Sequence, residues 1–172
     1  MSKAEGTWTQ PPTDKRYDND VLIEWMEKAL FPYFNGGVEV EKDHNNTIFA
    51  NTIRVRLKDG SWLYVNNNNL IHIFYDINGD KKTNKGGVDI FYFFLDYEDK
   101  YKRGGNFYPS GYSYSKANNP DEGYVDNVVY GDREKMKKFC DTTYSSERSN
   151  TCALLIMHDG WKIKKDYPVK LN

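Results

Sequence analysis

The sequence predicts one α+β domain, in which a single helix precedes a mainly antiparallel β-sheet. One segment near the N-terminus carries apolar residues at helical spacing, whereas the later apolar segments alternate with polar residues or run unbroken, as strands do. Asp-Gly and Asn-Gly pairs separate those later segments, and such pairs are typical of hairpin turns. Because 172 residues make about one ordinary domain, residues 1–172 are expected to form a single globular unit.

The predicted N-terminal helix lies in the segment DVLIEWMEKAL, residues 20–30. Its apolar residues recur at three- and four-residue intervals and would face a core; they are Leu22, Trp25, Met26, Ala29 and Leu30. An acid between positions 18 and 20 suits the N-cap, and Pro32 ends the helix. The preceding residues 1–19 are polar and contain Pro11-Pro12, so they are predicted to form a mobile arm or loop.

The next segment, TIRVRLKDGSWLYV, alternates apolar and basic residues and predicts a hairpin. With Asp59-Gly60 as a two-residue turn, Val55 would pair with Tyr64 and Leu57 with Trp62 on one apolar, aromatic face. The run of asparagines at 66–69 that follows is predicted to be turn material.

Residues 70–75 and 88–95 predict two further strands, the second almost continuously apolar, as a central strand should be. The Tyr- and Gly-rich residues between 96 and 131 are expected to form a long irregular surface loop. The segment GDREKMKKF predicts a short helix capped by Asp132. The final segment, residues 152–168, is predicted to be a strand, a turn at Asp159-Gly160 and a second strand.

Composition excludes some classes of partner. The net charge is −1 and the mean hydropathy is −0.83, so neither nucleic acid nor an anionic membrane is the expected partner. No window reaches the ~20 apolar residues of a membrane helix, and no secretory signal is present, which taken alone favours the cytoplasm. Cys140 and Cys152 favour an oxidising compartment, because a disulfide across the loop between them would contribute roughly 3 kcal/mol. Two separate reduced thiols are the alternative.

Catalytic chemistry is not indicated. The three histidines, His44, His72 and His158, lack the spacing of paired zinc ligands, and no nucleophile or nucleotide-binding motif is present. The carboxylates are scattered, so the chain is not expected to be an enzyme. A hydrolase with an unrecognised carboxylate pair is the weakest of the hypotheses.

The loop in YDINGDKKTNKGGVDIFYF is the best metal candidate. Asp76, Asn78 and Asp80 supply oxygen ligands at alternate positions, and Asp89 would return from the next strand. An EF-hand is rejected, because its sixth and twelfth positions, which require Gly and Glu, are Lys81 and Gly87. A plain turn whose acids bond the backbone remains the alternative to an irregular calcium site.

The Tyr-rich loop offers a different kind of surface. Tyrosines present flat apolar area together with a hydroxyl, which suits sugar binding or adhesion, and the candidates are Tyr108, Tyr112 and Tyr114. A secreted adhesin or carbohydrate-binding module is therefore one functional hypothesis. Packing against the rest of the domain is the alternative reading of these tyrosines.

Three segments together resemble the bacterial type IV pilin-like proteins, described as prepilin-type or type II secretion pseudopilin-like: LKDGSWLYV, IFYDINGDKKTNKGGVDIFYF and CALLIMHDGWKIKKDYP. The matching positions are Asp59, Gly60, Asp76, Asn78, Gly79, Lys81 or Lys82, Asn84, Gly87, Asp89, Phe91, Phe93, Cys152, 159–163 and 166–168. Thr83 departs from the family, which usually has Pro there. The family's basic leader and long apolar N-terminal helix are also absent, and because SKAEGTW is similar to the residues that follow that helix, we expect a truncation.

The resemblance implies a fold in which the N-terminal helix packs on the antiparallel sheet and a Cys140–Cys152 disulfide pins a variable loop. It implies a non-catalytic filament subunit, extracytoplasmic, whose partners are copies of itself or other pilins and the assembly machinery of the inner membrane. The missing helix would be its only membrane contact. Some pseudopilins bind calcium in this domain, and calcium is the only cofactor that the sequence suggests.

Overall fold

The computed structural model describes residues 17–34, 38–42, 51–68, 70–80, 84–95, 107–109, 132–140 and 151–170. Within them the α+β class is confirmed. The helices are α1 (Asn19–Ala29), α2 (Arg133–Phe139) and α3 (Thr151–His158), with a 3-10 turn at Phe31–Tyr33; the strands are β1 (Glu39–Lys42), β2 (Ile53–Arg56), β3 (Trp62–Asn68), β4 (Leu70–Asp76), β5 (Ile90–Leu95) and β6 (Phe107–Pro109). None of the helices in these ranges combines the length and the apolarity that crossing a membrane requires.

The strands form one antiparallel sheet in the order β1-β2-β3-β4-β5-β6, so each strand pairs with its neighbour in the chain. Strand β6 lies in the segment that was predicted to be an irregular loop, so that prediction was wrong at Phe107–Pro109, and strand β1 was not predicted either. Its residues are mostly exposed, and its alternating Glu39 and Glu41 face the basic residues of β2, with Glu41 bonded to Arg54. An edge strand of this kind lacks the apolar alternation by which strands are predicted, because most of its side chains are charged and face water.

Helix α1 confirms the helix prediction near the N-terminus. Asp18 caps it, with its Oδ1 accepting hydrogen bonds from the backbone N–H groups of Asp20 and Val21 at 3.1 and 3.2 Å. Such a cap satisfies donors that the first helical turn leaves without partners. Leu22 and Met26 are fully buried, and with Trp25 and Ala29 they form the apolar face.

Each face of the sheet carries its own buried cluster. On the first, which we call the helix face, residues of α1 cluster with Ile53, Val55, Val65, Ile71, Ile73 and Leu95. On the second, which we call the aromatic face, the buried cluster of described residues consists of strand residues, Trp62, Tyr64, Phe74, Ile90 and Tyr92. The rings of Phe74 and Tyr92 stack with centroids 4.1 Å apart. Burial on both faces explains why β4 and β5 are almost continuously apolar.

A third cluster joins the C-terminal helices to β5. It contains Phe91 of the sheet, Met136 of α2 and Leu154 and Leu155 of α3, all buried. The Cys140–Cys152 disulfide lies in this cluster and links the end of α2 to the start of α3, with 4.5 Å between the two Cα atoms. The predicted disulfide is therefore confirmed, and it is buried.

The predicted register of the β2–β3 hairpin was wrong by one residue. Val55 pairs with Leu63, and Arg56 rather than Leu57 pairs with Trp62. The loop is longer than two residues, because the Leu57 N–H bonds the Ser61 carbonyl and Gly60 lies between them at a φ of 87°. A one-residue slip moves every side chain to the other face, so Trp62 lies on the aromatic face.

The asparagine run was also predicted wrongly as a turn. Asn66, Asn67 and Asn68 belong to β3, and they pair with His72, Ile71 and Leu70 of β4. Strand pairing outweighs the low strand propensity of asparagine here. Position 69 lies outside the described residues.

The C-terminal strand prediction was wrong, because residues 151–158 form helix α3. Asp159-Gly160 ends this helix and does not join two strands. The Trp161 N–H bonds the Ile156 carbonyl and the Gly160 N–H bonds the Met157 carbonyl, which is the Schellman pattern. Gly160 adopts the positive φ of 74° that this cap requires. An apolar run of eight residues does not by itself distinguish a strand from a buried helix.

Candidate functional site

The candidate site is the loop between β4 and β5. Asp76 is the last residue of β4 and Asp89 immediately precedes β5, so the sheet register brings the two ends of the loop together. Asp76 is fully buried, and Asp89 is 9% exposed. Asp76 pairs across the sheet with Trp62, which places it on the aromatic face at the edge of the apolar cluster.

The loop acids bond its backbone. Asp76 Oδ1 accepts the N–H groups of Asn78 and Gly79 at 3.1 and 3.0 Å, which is an Asx turn. At the other end, Asp89 accepts the Lys85 N–H through Oδ1 and the Asn78 side-chain amide through Oδ2, the latter at 2.9 Å. The Asn78 backbone thus bonds Asp76 while its side chain bonds Asp89, and this residue ties the two ends of the loop together.

In the described part of the loop, two oxygens are buried without hydrogen-bond partners: Asp76 Oδ2 and Asn78 Oδ1. Burial, the largest cause, and the negative charge of Asp89 raise the pKa of Asp76 to about 6, although hydrogen bonds from the Gly79 and Asn78 N–H groups and the Asn84 side chain act in the opposite direction. The protein therefore holds a carboxylate in a place that disfavours its charge. That arrangement suits either a proton or a bound cation.

Of the four predicted metal ligands, the structure brings Asp76, Asn78 and Asp89 together. Asp80 is exposed, and neither Asp76 nor Asp89 makes an ion pair with another described residue. Among the described residues there is no group of three His, Cys, Asp or Glu side chains that could hold a metal ion. Any cation would thus be held by two carboxylates and by amide or carbonyl oxygens. Calcium binding stays a prediction.

Gly87 connects this loop to the disulfide and to the C-terminal tail. It has a φ of 74°, and a Cβ built on it would lie 3.0 Å from Cys152 Cβ and closer still to Cys152 Sγ. The Tyr167 hydroxyl donates a hydrogen bond to the Gly87 carbonyl at 2.8 Å. Desolvation raises the pKa of Tyr167 above its usual value, so the hydroxyl remains a donor.

Arg133 binds two acids of the C-terminal segment at once, and sequence reasoning did not find this cluster. Its guanidinium contacts both oxygens of Asp159, at 2.8 and 2.9 Å, and both oxygens of Asp166, each at 2.7 Å. The hydrogen bonds from Arg133 lower the pKa of both carboxyls well below the usual range. The residue type was the one hint in the sequence, because the planar guanidinium group of an arginine is well suited to bind two carboxylates.

The prediction that the tyrosines form an exposed binding surface is wrong at Tyr108. Tyr108 lies in β6, is 3% exposed and packs beside Phe94, so it does not present its ring to solvent. Tyr112 and Tyr114 lie outside the described residues. Large exposed side chains occur elsewhere instead, and Trp161, 61% exposed, is one of them.

Comparison with curated proteins and with solved structures finds no match. A family model described as a family of unknown function, DUF6613, matches residues 3–171, which is nearly the whole chain. The chain therefore belongs to the DUF6613 family.

Proposed function

We propose that this domain is a non-catalytic structural subunit of a type IV pilus or of a type II secretion pseudopilus-like filament. Its N-terminal helix would pack on the sheet as in pilins, and its globular part would form the filament surface. The partners would be copies of itself or other pilins, together with an inner-membrane assembly machinery. The proposal rests on the resemblance of three sequence segments to pilin-like proteins and on what the residues of those segments do.

The observation that carries the proposal is the contact between two of those three segments at Gly87. Gly87 belongs to the loop motif, Cys152 begins the last motif, and Tyr167 lies near its end. The lack of a side chain at Gly87 leaves room for the disulfide, and its carbonyl accepts the Tyr167 hydroxyl. These contacts hold the loop, the disulfide and the C-terminal segment together. They would make the domain rigid, as a filament subunit under mechanical load needs to be.

The acids of the last motif serve the same purpose. Asp159 and Asp166 are held by one arginine of α2, so the tail is tied back onto the helix that precedes the disulfide. The Asp159 side chain is only 2% exposed, so its charge is satisfied within the protein by Arg133 and Lys164. Both acids thus act as structural anchors for the tail.

An extracytoplasmic location fits the disulfide, because such bonds persist in oxidising compartments. A membrane anchor would join this domain upstream of α1. Tyr17 has a φ of 63° and Asp18 is a side-chain N-cap, so the backbone turns just before the helix. An anchor helix would therefore meet α1 through a bend at Tyr17 and would not form one straight helix with it.

The test uses the gene in its own host, expressed with its own upstream region. Surface material is sheared from the cells, and the protein is followed with an antibody raised against this domain. We expect it in sheared filaments that immunogold microscopy labels along their length. A strain without prepilin peptidase is the matched control, and there the protein should remain in the membrane as a longer precursor.

Two results would overturn the proposal. One is an upstream region without an apolar segment and a prepilin-peptidase site. The other is recovery of the protein only as a free monomer in both strains, with no labelled filament.

A further inference from the structure

Residues 161–166, with the sequence WKIKKD, follow the end of helix α3 and are all exposed. We call them the exposed segment. Two of its side chains are large and apolar: Trp161 is 61% exposed and Ile163 is 48% exposed. Apolar side chains that lie singly on a surface are ordinary, but here two of them alternate with lysines in one short stretch. Such a cluster indicates an interaction surface.

The backbone holds the exposed segment at both ends. At its start, the Trp161 N–H bonds the Ile156 carbonyl at 2.9 Å, and Trp161 adopts a φ of 60°, which bulky residues rarely do. Just after its end, the Tyr167 hydroxyl bonds the Gly87 carbonyl, and Val169 is buried. The side chains between these anchors are therefore already positioned, so a partner needs to order little of the chain when it binds.

The charge that the exposed segment presents is positive. Its one acid, Asp166, binds Arg133, as does the neighbouring Asp159, so both carboxylates are compensated within the protein. Lys162 and Lys165 are exposed, and neither forms an ion pair with a described residue. These two lysines are thus available to an anionic partner.

The surrounding helices add to this positive charge. Residues 132–140 and 151–170 together contain eight lysines and arginines but only four aspartates and glutamates. The whole chain nevertheless has a net charge of −1, so the rest of the chain is negative. The net charge, from which no anionic membrane was expected as a partner, therefore conceals a basic region around the exposed segment.

We propose that the exposed segment docks this domain on the surface of an anionic phospholipid membrane. Trp161 and Ile163 would enter the interfacial layer of the bilayer, which tryptophan prefers because its ring is both apolar and polar. Lys162 and Lys165 would lie against the lipid phosphates, to which an anionic surface attracts them. The inference goes beyond the filament proposal and does not rest on it, because it adds a membrane contact that requires no anchor helix.

The composition of the exposed segment favours a membrane over a protein partner. Lysine is depleted in protein interfaces, whereas basic residues beside tryptophan are typical of segments that lie on membranes. A stable protein interface also needs about 20–30 residues from each side. Two apolar side chains among lysines suit a membrane, into which a few side chains enter while their charged neighbours remain in water.

The first experiment measures binding of the purified chain to vesicles by co-sedimentation. The vesicles contain phosphatidylcholine alone or an equimolar mixture with phosphatidylglycerol. We expect binding to the anionic vesicles only, and weaker binding as the salt concentration rises. Trp161→Ala should weaken binding at least about tenfold, because a large apolar contact is lost. Lys162→Ala and Lys165→Ala should each weaken it about fivefold.

Two exposed residues elsewhere provide matched controls. Tyr33 is 74% exposed and aromatic, and Lys135 is an exposed lysine of α2. Tyr33→Ala and Lys135→Ala should bind anionic vesicles within about twofold of the wild type, because neither residue belongs to the exposed segment. Melting curves of all variants show whether each remains folded.

A second experiment does not depend on weakened variants. Vesicles with brominated acyl chains quench the fluorescence of an indole that enters the bilayer. The measurement uses Trp8→Phe, so that this residue does not contribute; Trp25 and Trp62 are each only 5% exposed. Anionic brominated vesicles should quench the emission of Trp161, and Trp161→Phe in the same background should abolish the quenching.

The proposal is overturned if neutral and anionic vesicles bind equally, or if Trp161→Ala and the lysine variants bind as the wild type does. It is also overturned if bound vesicles do not quench Trp161. Equal binding to polyglutamate or to single-stranded DNA at the same salt concentration would indicate a general polyanion site and would contradict a membrane surface. These measurements use the purified chain, so failure of the filament proposal in the host would leave them unchanged.

Discussion

Gly87 is the residue at which two constraints meet. Its positive φ is a conformation that side chains disfavour, and the space where a Cβ would lie is filled by Cys152. Gly160 has the same φ of 74° but nothing within 4 Å of its Cβ position. A substitution at Gly160 would therefore measure the cost of the backbone conformation alone. The same substitution at Gly87 would add the cost of the clash with Cys152.

We expect Gly160→Ala to lower the free energy of unfolding by about 1–2 kcal/mol, the cost of a left-handed conformation. Gly87→Ala should lose a similar amount and about 1–3 kcal/mol more, because it overpacks the core against the disulfide. Chemical denaturation of both variants under oxidising conditions measures the difference. Equal losses would mean that the backbone at Gly87 moves away from Cys152 freely.

Asp76 gives the domain a distinctive pH dependence. Its folded-state pKa is raised to about 6, so the folded state binds a proton more tightly than the unfolded state does. In chelator, this residue's contribution to stability should therefore fall as pH rises from about 4 to about 6 and stay low above that range.

Asp76→Asn removes this dependence and keeps an Oδ1 acceptor for the Gly79 N–H. In chelator at pH 7, we expect the variant to be as stable as the wild type or more stable, and to differ least from it near pH 4. Melting curves across this range provide the comparison. A variant that is less stable at pH 7 by the same amount as at pH 4 would contradict the assignment.

At the scale of elements, Arg133 is the link between α2 and the C-terminal segment. Removing it leaves Asp159, whose side chain is 2% exposed, with Lys164 as its remaining strong partner, at 2.8 Å. A buried carboxylate that loses a partner costs much more than an exposed pair does. The matched control on the same helix is Lys135, which pairs with Asp132 in solvent.

We expect Arg133→Met to lower the melting temperature at pH 7 clearly more than Lys135→Met, which should change it little. The pKa values of Asp159 and Asp166 are lowered in the folded state, so the stability they contribute is present above about pH 4 and is lost as pH falls below it. The penalty of Arg133→Met should therefore shrink in acid. A penalty that is constant with pH would indicate lost packing instead of lost charge.

The β2–β3 hairpin illustrates how an element can be predicted correctly and still be placed wrongly. Apolar alternation identified both strands, but the loop length decided which face each residue occupies. With one more residue in the loop, Arg54 and Arg56 share a face with Trp62, and the Arg54 guanidinium lies 4.4 Å from its ring centroid. Asp59 stabilises that loop by accepting both the N–H and the hydroxyl of Ser61.

For the whole molecule, the disulfide is the covalent link within the C-terminal cluster. It joins positions 12 apart, and closing a loop of that size stabilises the folded state by roughly 3 kcal/mol in the chain-entropy account. Because Cys140 and Cys152 are 3% and 1% exposed, reductants reach the bond only after the cluster opens.

We therefore expect the unfolded, unreduced protein to contain no free thiol, and Cys140→Ser with Cys152→Ser to lose roughly 3 kcal/mol of unfolding free energy. The native bond should be reduced slowly, at the rate of opening, and faster when mild denaturant is added. Two titratable thiols in the oxidised, denatured protein would refute the bridge. Immediate reduction of the native protein would show that the cluster does not protect it.

The sequence by itself determined the features whose causes are local. Helix α1 follows from its spacing and cap, α2 from its charges and Asp132, and most of the strands from apolar alternation or continuity. The length of the loop between the two cysteines suggested a disulfide but left two reduced thiols as the alternative, and the structure shows the bridge. The sequence also placed Asp76, Asn78, Asp80 and Asp89 in one loop, and of these four Asp80 is exposed.

Only the tertiary structure decided the rest. The register of β2 with β3, the helical state of residues 151–158 and the buried orphan oxygens depend on contacts between distant segments. An apolar run is compatible with either a strand or a buried helix until its neighbours are in place. Arg133 meets Asp159 and Asp166 across more than twenty residues of chain for the same reason. Long-range packing selects among local options that are close in free energy.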